Sequence, residues 1–271
     1  MKTLKIWTLL VFVTLCQILS AQDGKDRLEG MAGENFSLEA ALDAFKSAAS
    51  PEDFEKMLNM EDNDINNLDL NEDGNVDYVM VRDDQDGDTH ALVIYTAVNE
   101  QETQDIAVIG IQKTGDASAE LQIIGNDDLY GDDFAVEPYD EKETGGKGGP
   151  SSYSDIRRIV VNVWGWPTVR FIYAPIYRPW VSPWRWAVYP TYYRPWRVRP
   201  VTVFRPLGVR HRAYYRPAPV RVHKAVHVYK PHRRSSAVVK TRTTKTTVKT
   251  NGRGGKKVTR TTTTRTRRGK R

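Results

Sequence analysis

Cysteine is almost absent from this chain, the single one among 271 residues being Cys16. It lies in an N-terminal stretch that reads as an export signal. The remainder therefore forms no disulfide, and its stability has to come from packing or from a bound ion. Long apolar runs are equally scarce. The longest, Ile6 to Leu15, is broken by Thr8 and Thr14 before it reaches the ~20 residues of a spanning helix. Acidic side chains all but disappear after Gly145, where Asp155 stands alone. No serine or cysteine nucleophile pattern appears, which argues against covalent hydrolysis.

The N-terminal stretch itself has the order of a cleavable signal peptide over 1–21. Met1, Lys2 and Lys5 form a basic entry, an apolar segment follows, and Ser20-Ala21 supplies a small-residue exit that leaves Gln22 as the mature start. Leu15 before Cys16 is the wrong residue for lipoprotein processing. The expected location is the periplasm, the outer surface or the medium.

What is present is charge in two opposed blocks. Residues 22–144 carry 33 acidic and 7 basic side chains, whereas from Gly145 onward there are 31 basic residues and one acid. Such asymmetry implies an acidic globular or ion-binding part and a basic part seeking an anionic partner. The alternative is that the two halves neutralise each other, within one molecule or between molecules. Domain boundaries follow from composition: a disordered leader at 22–34, an acidic domain at 35–140, a glycine-rich linker at 141–150, a partly ordered Trp/Pro/Arg segment at 151–196, and a basic low-complexity tail at 197–271.

In the acidic domain, Ser37 is placed to cap a helix with Leu38, Ala41, Leu42 and Phe45 at helical spacing. A second helix begins at Ser50, with Pro51 at its first position and Asp53 three residues after the cap. Four β-rich runs follow, at Val76–Arg82, Thr89–Val98, Asp105–Gln112 and Ala119–Ile124. They are separated by Asp86-Gly87-Asp88, the Asn99–Thr103 loop and Gly115-Asp116. The reading is an α+β domain of about 110 residues, two short helices followed by an antiparallel β-meander. The run holding Ile106, Val108, Ile109 and Ile111 is apolar on both faces, so one face is expected to pack the helices and the other to meet something else, the downstream Trp-rich segment being the candidate.

Between the second helix and the first strand, oxygen-bearing side chains alternate around a glycine. Asp69, Asn71, Asp73 and Asp77 offer side-chain oxygens and Asn75 its carbonyl, a donor set suited to Ca2+ in a structural role. The stretch resembles calcium loops of the EF-hand and dockerin kind, with Met80 where those loops carry a bidentate acid. It is closer to FG-GAP-type and VCBS-type loops, which lead straight into a strand. The alternative is a solvated Asp/Asn/Gly turn that holds no metal.

In the basic half, Ile156–Val163 and Val169–Tyr173 flank Trp164-Gly165-Trp166-Pro167 and read as strands docked on the domain. Tyr177-Arg178-Pro179-Trp180 recurs sixteen residues later as Tyr193-Arg194-Pro195-Trp196. Proline at this density favours extended chain, and the stretch from Ser235 onward lacks the apolar side chains of a core. Arginine interleaved with Trp and Tyr suits anionic envelope glycans or lipid head groups, and secondarily nucleic acid. His223, His227 and His232 lie among Arg, Lys and Pro and read as ordinary tail residues.

Asn67 to Gly74, Asp86-Gly87-Asp88-Thr89-His90, Gln104 to Ile109 and Leu129-Tyr130-Gly131 together resemble a family of uncharacterised secreted proteins from Bacteroidetes bacteria. The resemblance spans most of 35–140 and the Trp/Pro/Arg segment, and implies export and this domain layout without an activity. The leading expectation is thus an exported, non-enzymatic binding or structural protein. A nucleic-acid binder comes second, and a hydrolase using Asp83, Asp84 and Asp86, with His90 nearby, comes last.

Overall fold

The computed structural model describes residues 28, 30–132, 134–139, 160–208, 211, 214–242, 245–250 and 256–261. Residues 1–21, which read as a signal peptide, most of the leader and the linker lie outside these. No helix among the described residues is long and apolar enough to cross a membrane.

Both helices start where their caps place them. In α1 (Leu38–Ser47) the Ser37 hydroxyl accepts from the Ala40 amide at 3.2 Å, and in α2 (Pro51–Leu58) Ser50 accepts from the Asp53 amide at 3.1 Å. Asp53 in turn accepts from the Ala49 amide at 3.0 Å. The buried stripes meet where Phe45 stands edge-on to Phe54, with ring centroids 5.3 Å apart.

The strands β1 (Val79–Asp86), β2 (Thr89–Ala97), β3 (Thr103–Gly115) and β4 (Ser118–Gly125) form the antiparallel meander. Gly87, with φ +56°, closes the first hairpin in a conformation that disfavours other residues. A short helix α3 (Asp127–Tyr130), capped by Asn126, leads into β5 (Ala135–Pro138). These last two elements are too short to give a period.

The basic half then completes the sheet. Its strand β6 (Tyr215–Ala218) pairs antiparallel with β5, giving six strands in sequence order. Pro217 is tolerated there because β6 is an edge strand. At the opposite edge residues 180–182 run along β1, the Asp83 amide donating to Trp180 O at 2.7 Å and the Ser182 amide to Val81 O at 2.9 Å. One face of the sheet packs α1, α2 and a further helix, α4 (Pro167–Ile172). The other is covered in two places. Trp184, Trp186, Tyr189, Tyr193 and Trp196 lie over Tyr78, Met80 and Tyr95, and α6 (His223–Tyr229) lies over Ala91, Val93 and Val108.

Three expectations need correction. Val169–Tyr173 belongs to a helical segment: Pro167 at the first helical position and the burial of Thr168, Val169 and Ile172 outweigh β-branched propensity. Within the same stretch the Thr168 hydroxyl caps the end of α1 by donating to Phe45 O at 3.1 Å. Val160–Val163 is irregular chain rather than strand, held by the Val163 amide donating to Ala119 O at 3.0 Å. Residues 197–242, which composition assigns to a disordered tail, contain α5 (Val201–Gly208), β6, α6 and α7 (Ala237–Arg242). These elements form because the acidic domain supplies the surface that their own few apolar residues cannot. Further on, the described backbone is a separate hairpin of β7 (Lys245–Thr250) and β8 (Lys256–Thr261).

Candidate functional site

The 69–77 loop turns through Glu72 (φ +63°) and Gly74 (φ +83°). Its side chains are turned largely onto its own backbone. Asp69 accepts from the amides of Asp73 and Gly74 at 3.0 and 2.9 Å, and Asp73 accepts from the Asn75 amide at 2.7 Å. Asn71 bridges to Asp73, and Asp77 accepts from the Leu70 amide at 2.6 Å. Among the described residues no group of three or more His, Cys, Asp or Glu side chains is arranged to hold a metal ion. The donor atoms are nonetheless all hard oxygens, and their charges are felt. Burial pushes the Asp77 carboxyl up to about 7, opposed by the Leu70 amide and reinforced by Asp69 and Asp73.

The sign of that shift gives a prediction. A carboxyl whose folded value is raised contributes stability that is full below its unfolded value of about 4 and is lost as pH rises through about 7. In chelator, Asp77→Asn is expected to melt several degrees above the unmodified chain at pH 8, and near it at pH 4. Equal melting curves at pH 8 would show that the buried Asp77 carboxylate carries no such cost.

The strap from Ala174 to Pro200 is fixed by its repeat. In the first copy the Tyr177 hydroxyl donates to Asp83 at 2.9 Å and Trp180 O accepts from the Asp83 amide. In the second the Tyr193 hydroxyl donates to Val76 O at 2.6 Å and Trp196 O accepts from the Val76 amide at 2.8 Å. The two copies thus dock alike, at two points along one side of the domain. In both, the intervening Arg-Pro pair faces solvent. Between them Ser182 and Tyr78 donate to the buried Glu55 at 2.9 and 3.0 Å, as does the Val81 amide at 2.8 Å. Burial raises the Glu55 carboxyl above its ordinary range, and these donors counter the effect.

The outer side of the strap is cationic. Arg178, Arg185, Arg194 and Arg197 are exposed, and none forms an ion pair among the described residues. Half-buried Trp184, Trp186 and Trp196 alternate with them. Arg197 also lies beside the loop, with Nη1 3.1 Å from the point where a side chain on Gly74 would begin.

Other arginines of the basic half are consumed internally. Arg199 pairs with Asp64 at 2.7 Å, Arg221 with Glu120 and Glu137 at 3.1 and 2.6 Å, and Arg233 with Asp127 at 2.7 Å. Most of these are partly exposed and each is worth little alone, so their main effect is to set register.

The acids of the hydrolase reading are not brought together. Strand alternation sends Asp83 and Asp84 to opposite faces, and Asp86 is exposed at the hairpin tip. Asp83 meets buried His90, with Nδ1 to Oδ2 at 2.7 Å. His90 Nε2 and Asp83 Oδ1 are buried without a hydrogen-bond partner. Tyr173 stands edge-on to the imidazole at 4.9 Å.

Sequence reasoning missed the buried Arg82–Asp105 pair, with contacts of 2.9 and 3.3 Å. Its one signal was that Arg82 is an isolated cation inside a strand of an acidic domain. No family profile, curated protein or solved structure matches this chain.

Proposed function

We propose that this is an exported, non-enzymatic binding protein in which the acidic domain holds an arginine/aromatic strap and offers its outer side to anionic polymers of the cell envelope, glycans or lipid head groups. The observation that carries the reading is the repeat. Each copy uses Tyr and the Trp carbonyl to dock and leaves its arginine in solvent, and Arg185 and Arg197 of the same strap are exposed as well. Exposed guanidinium groups interleaved along the strap with half-buried indoles match a carboxylated, sulfated or phosphorylated chain through charge and stacking.

The test is a salt titration of the full chain against a sulfated glycan and against vesicles containing an anionic lipid. A cation near an anionic surface contributes about 1 kcal/mol, so the Arg185→Glu, Arg194→Glu double variant is expected to lose on the order of a hundredfold in affinity. Its melting temperature should stay the same, because both side chains are exposed. Unaltered binding by the double variant would refute the assignment. Tighter binding to single-stranded DNA than to either probe would favour the nucleic-acid reading.

A second reading concerns the loop. We propose that Asp69, Asn71, Asp73, Asn75 and Asp77 take up Ca2+ as a structural ion, since the cost of burying the Asp77 carboxylate, to which Asp69 and Asp73 add repulsion, is what a cation would relieve. Calcium would then stabilise the unmodified chain at pH 8 and leave Asp77→Asn unmoved.

A further inference from the structure

On the far side of the sheet from α1 and α2, an open cleft of about 1140 Å3 lies between the β1–β2 hairpin tip and α6. Its walls are set by packing. Val222, Ala225 and Tyr229 recur at helical spacing and are buried, and a side chain on Gly110 would come within 2.7 Å of Ala225 Cβ, so α6 is seated directly on β3. The same periodicity turns His223, Lys224 and His227 outward along the cleft, the two imidazoles one turn apart.

The charges in the cleft divide into those already used and those free. Arg221 is held by Glu120 and Glu137, and Lys113 Nζ rests over the Trp164 ring at 5.6 Å. His223, Lys224 and His227 have no hydrogen bond or ion pair from their side chains among the described residues, and on the facing hairpin neither do the carboxylates of Asp86 and Asp88. Gln85, Thr89, Gln112 and Thr114 add neutral donors and acceptors. Apolar lining is confined largely to Val228 and Pro231.

We propose that this cleft binds an acidic saccharide, its carboxylate on Lys224 and the two imidazoles, its ring hydroxyls on Asp86, Asp88 and the amides. A carboxylate accepts two hydroxyls of a sugar ring, while an ammonium and imidazoles serve the acid function. The volume exceeds the roughly 300–1,000 Å3 of small-molecule sites and accommodates an oligomer. Among the described residues Val228 and Pro231 are the only wholly apolar side chains on its walls, which disfavours a peptide whose side chains need apolar pockets. No group of three metal-ligating side chains is gathered among the described residues, so the histidines are assigned to hydrogen bonding. The site shares no residue with the strap and stands or falls separately from it.

The experiment is calorimetric titration of the full chain with a galacturonic acid tetramer, a glucose tetramer and a lysyl-glutamate dipeptide. The Lys224→Ala, His227→Ala and Asp86→Asn variants and the Arg185→Glu, Arg194→Glu strap variant are run alongside. All these side chains are exposed, so each variant is expected to melt with the unmodified chain, and imidazole proton shifts on addition of the tetramer give a second readout. The expected result is binding of the uronate tetramer alone. It should weaken at least fivefold in each cleft variant and persist in the strap variant. Equal binding of the glucose tetramer or the dipeptide, loss confined to the strap variant, or imidazole resonances that do not move would overturn the proposal.

Discussion

A chain ending at Tyr139 is expected to show no cooperative thermal transition, although it contains the whole helix and meander portion of the domain. The truncation would strip β1 of the 180–182 segment and β5 of its partner β6, leaving both sheet edges open to other molecules. It would also remove Val163, Val169, Ile172 and Tyr215 from the main core and uncover Tyr78, Met80, Val93 and Val108 on the second face. Full burial of one large apolar side chain is worth about 1.5–3 kcal/mol, and a domain's whole stability is about 5–15 kcal/mol. Several such losses together exceed it. The measurement is circular dichroism on heating, with residues 160–242 added as a separate polypeptide. Restoration of a transition in trans is expected. A fragment that melts sharply by itself, within a few degrees of the full chain, would show that the acidic domain is autonomous.

The second large effect is expected at Asp105. Its side chain is fully buried, joins Arg82 of β1 across the sheet, and accepts from the Arg234 amide at 2.8 Å. Arg82 reaches further to His232 O at 3.0 Å and stacks on Tyr95 at 5.3 Å. Asp105→Ala strands a buried guanidinium and frees the chain around 232–236, so a loss of about 3–5 kcal/mol in urea denaturation is expected. The Arg82→Met, Asp105→Leu double variant should recover part of that, because no buried guanidinium is stranded, although Asp84 loses the Arg82 Nε that it meets at 3.4 Å. If the double variant is as unstable as the single one, the cost lies in lost packing and not in the stranded charge.

The helices and the four-strand meander were legible because each carries its signal locally. Ser37 and Ser50 precede the first apolar positions, and Gly87 sits at the hairpin where φ must be positive. Strand limits shifted by a few residues, β1 starting at Val79 and running to Asp86. The polar end stays in the strand because β2 pairs it through to Thr89. The turn at 69–77 was also legible from its Asp, Asn and Gly content, and only Asp77 is deeply buried among its acids. The docking role of the Tyr-Arg-Pro-Trp repeat was not, since nothing in four residues says that a tyrosine hydroxyl will find Val76 O or that Asp83 will accept another.

The sequence by itself determined the two helices and the four-strand meander of the acidic domain and the opposition of charge between the halves, because capping, turn chemistry and side-chain periodicity act within a few residues. Only the tertiary structure decided that the basic half lines both edges of the meander and covers the second face, and which arginines form no ion pair among the described residues. Those outcomes depend on contacts such as Arg82 with His232 O and Asp64 with Arg199, between residues more than a hundred positions apart. Low apolar content makes 197–242 read as disordered when taken alone, and it orders because a partly bare sheet in the same chain supplies the apolar surface it lacks.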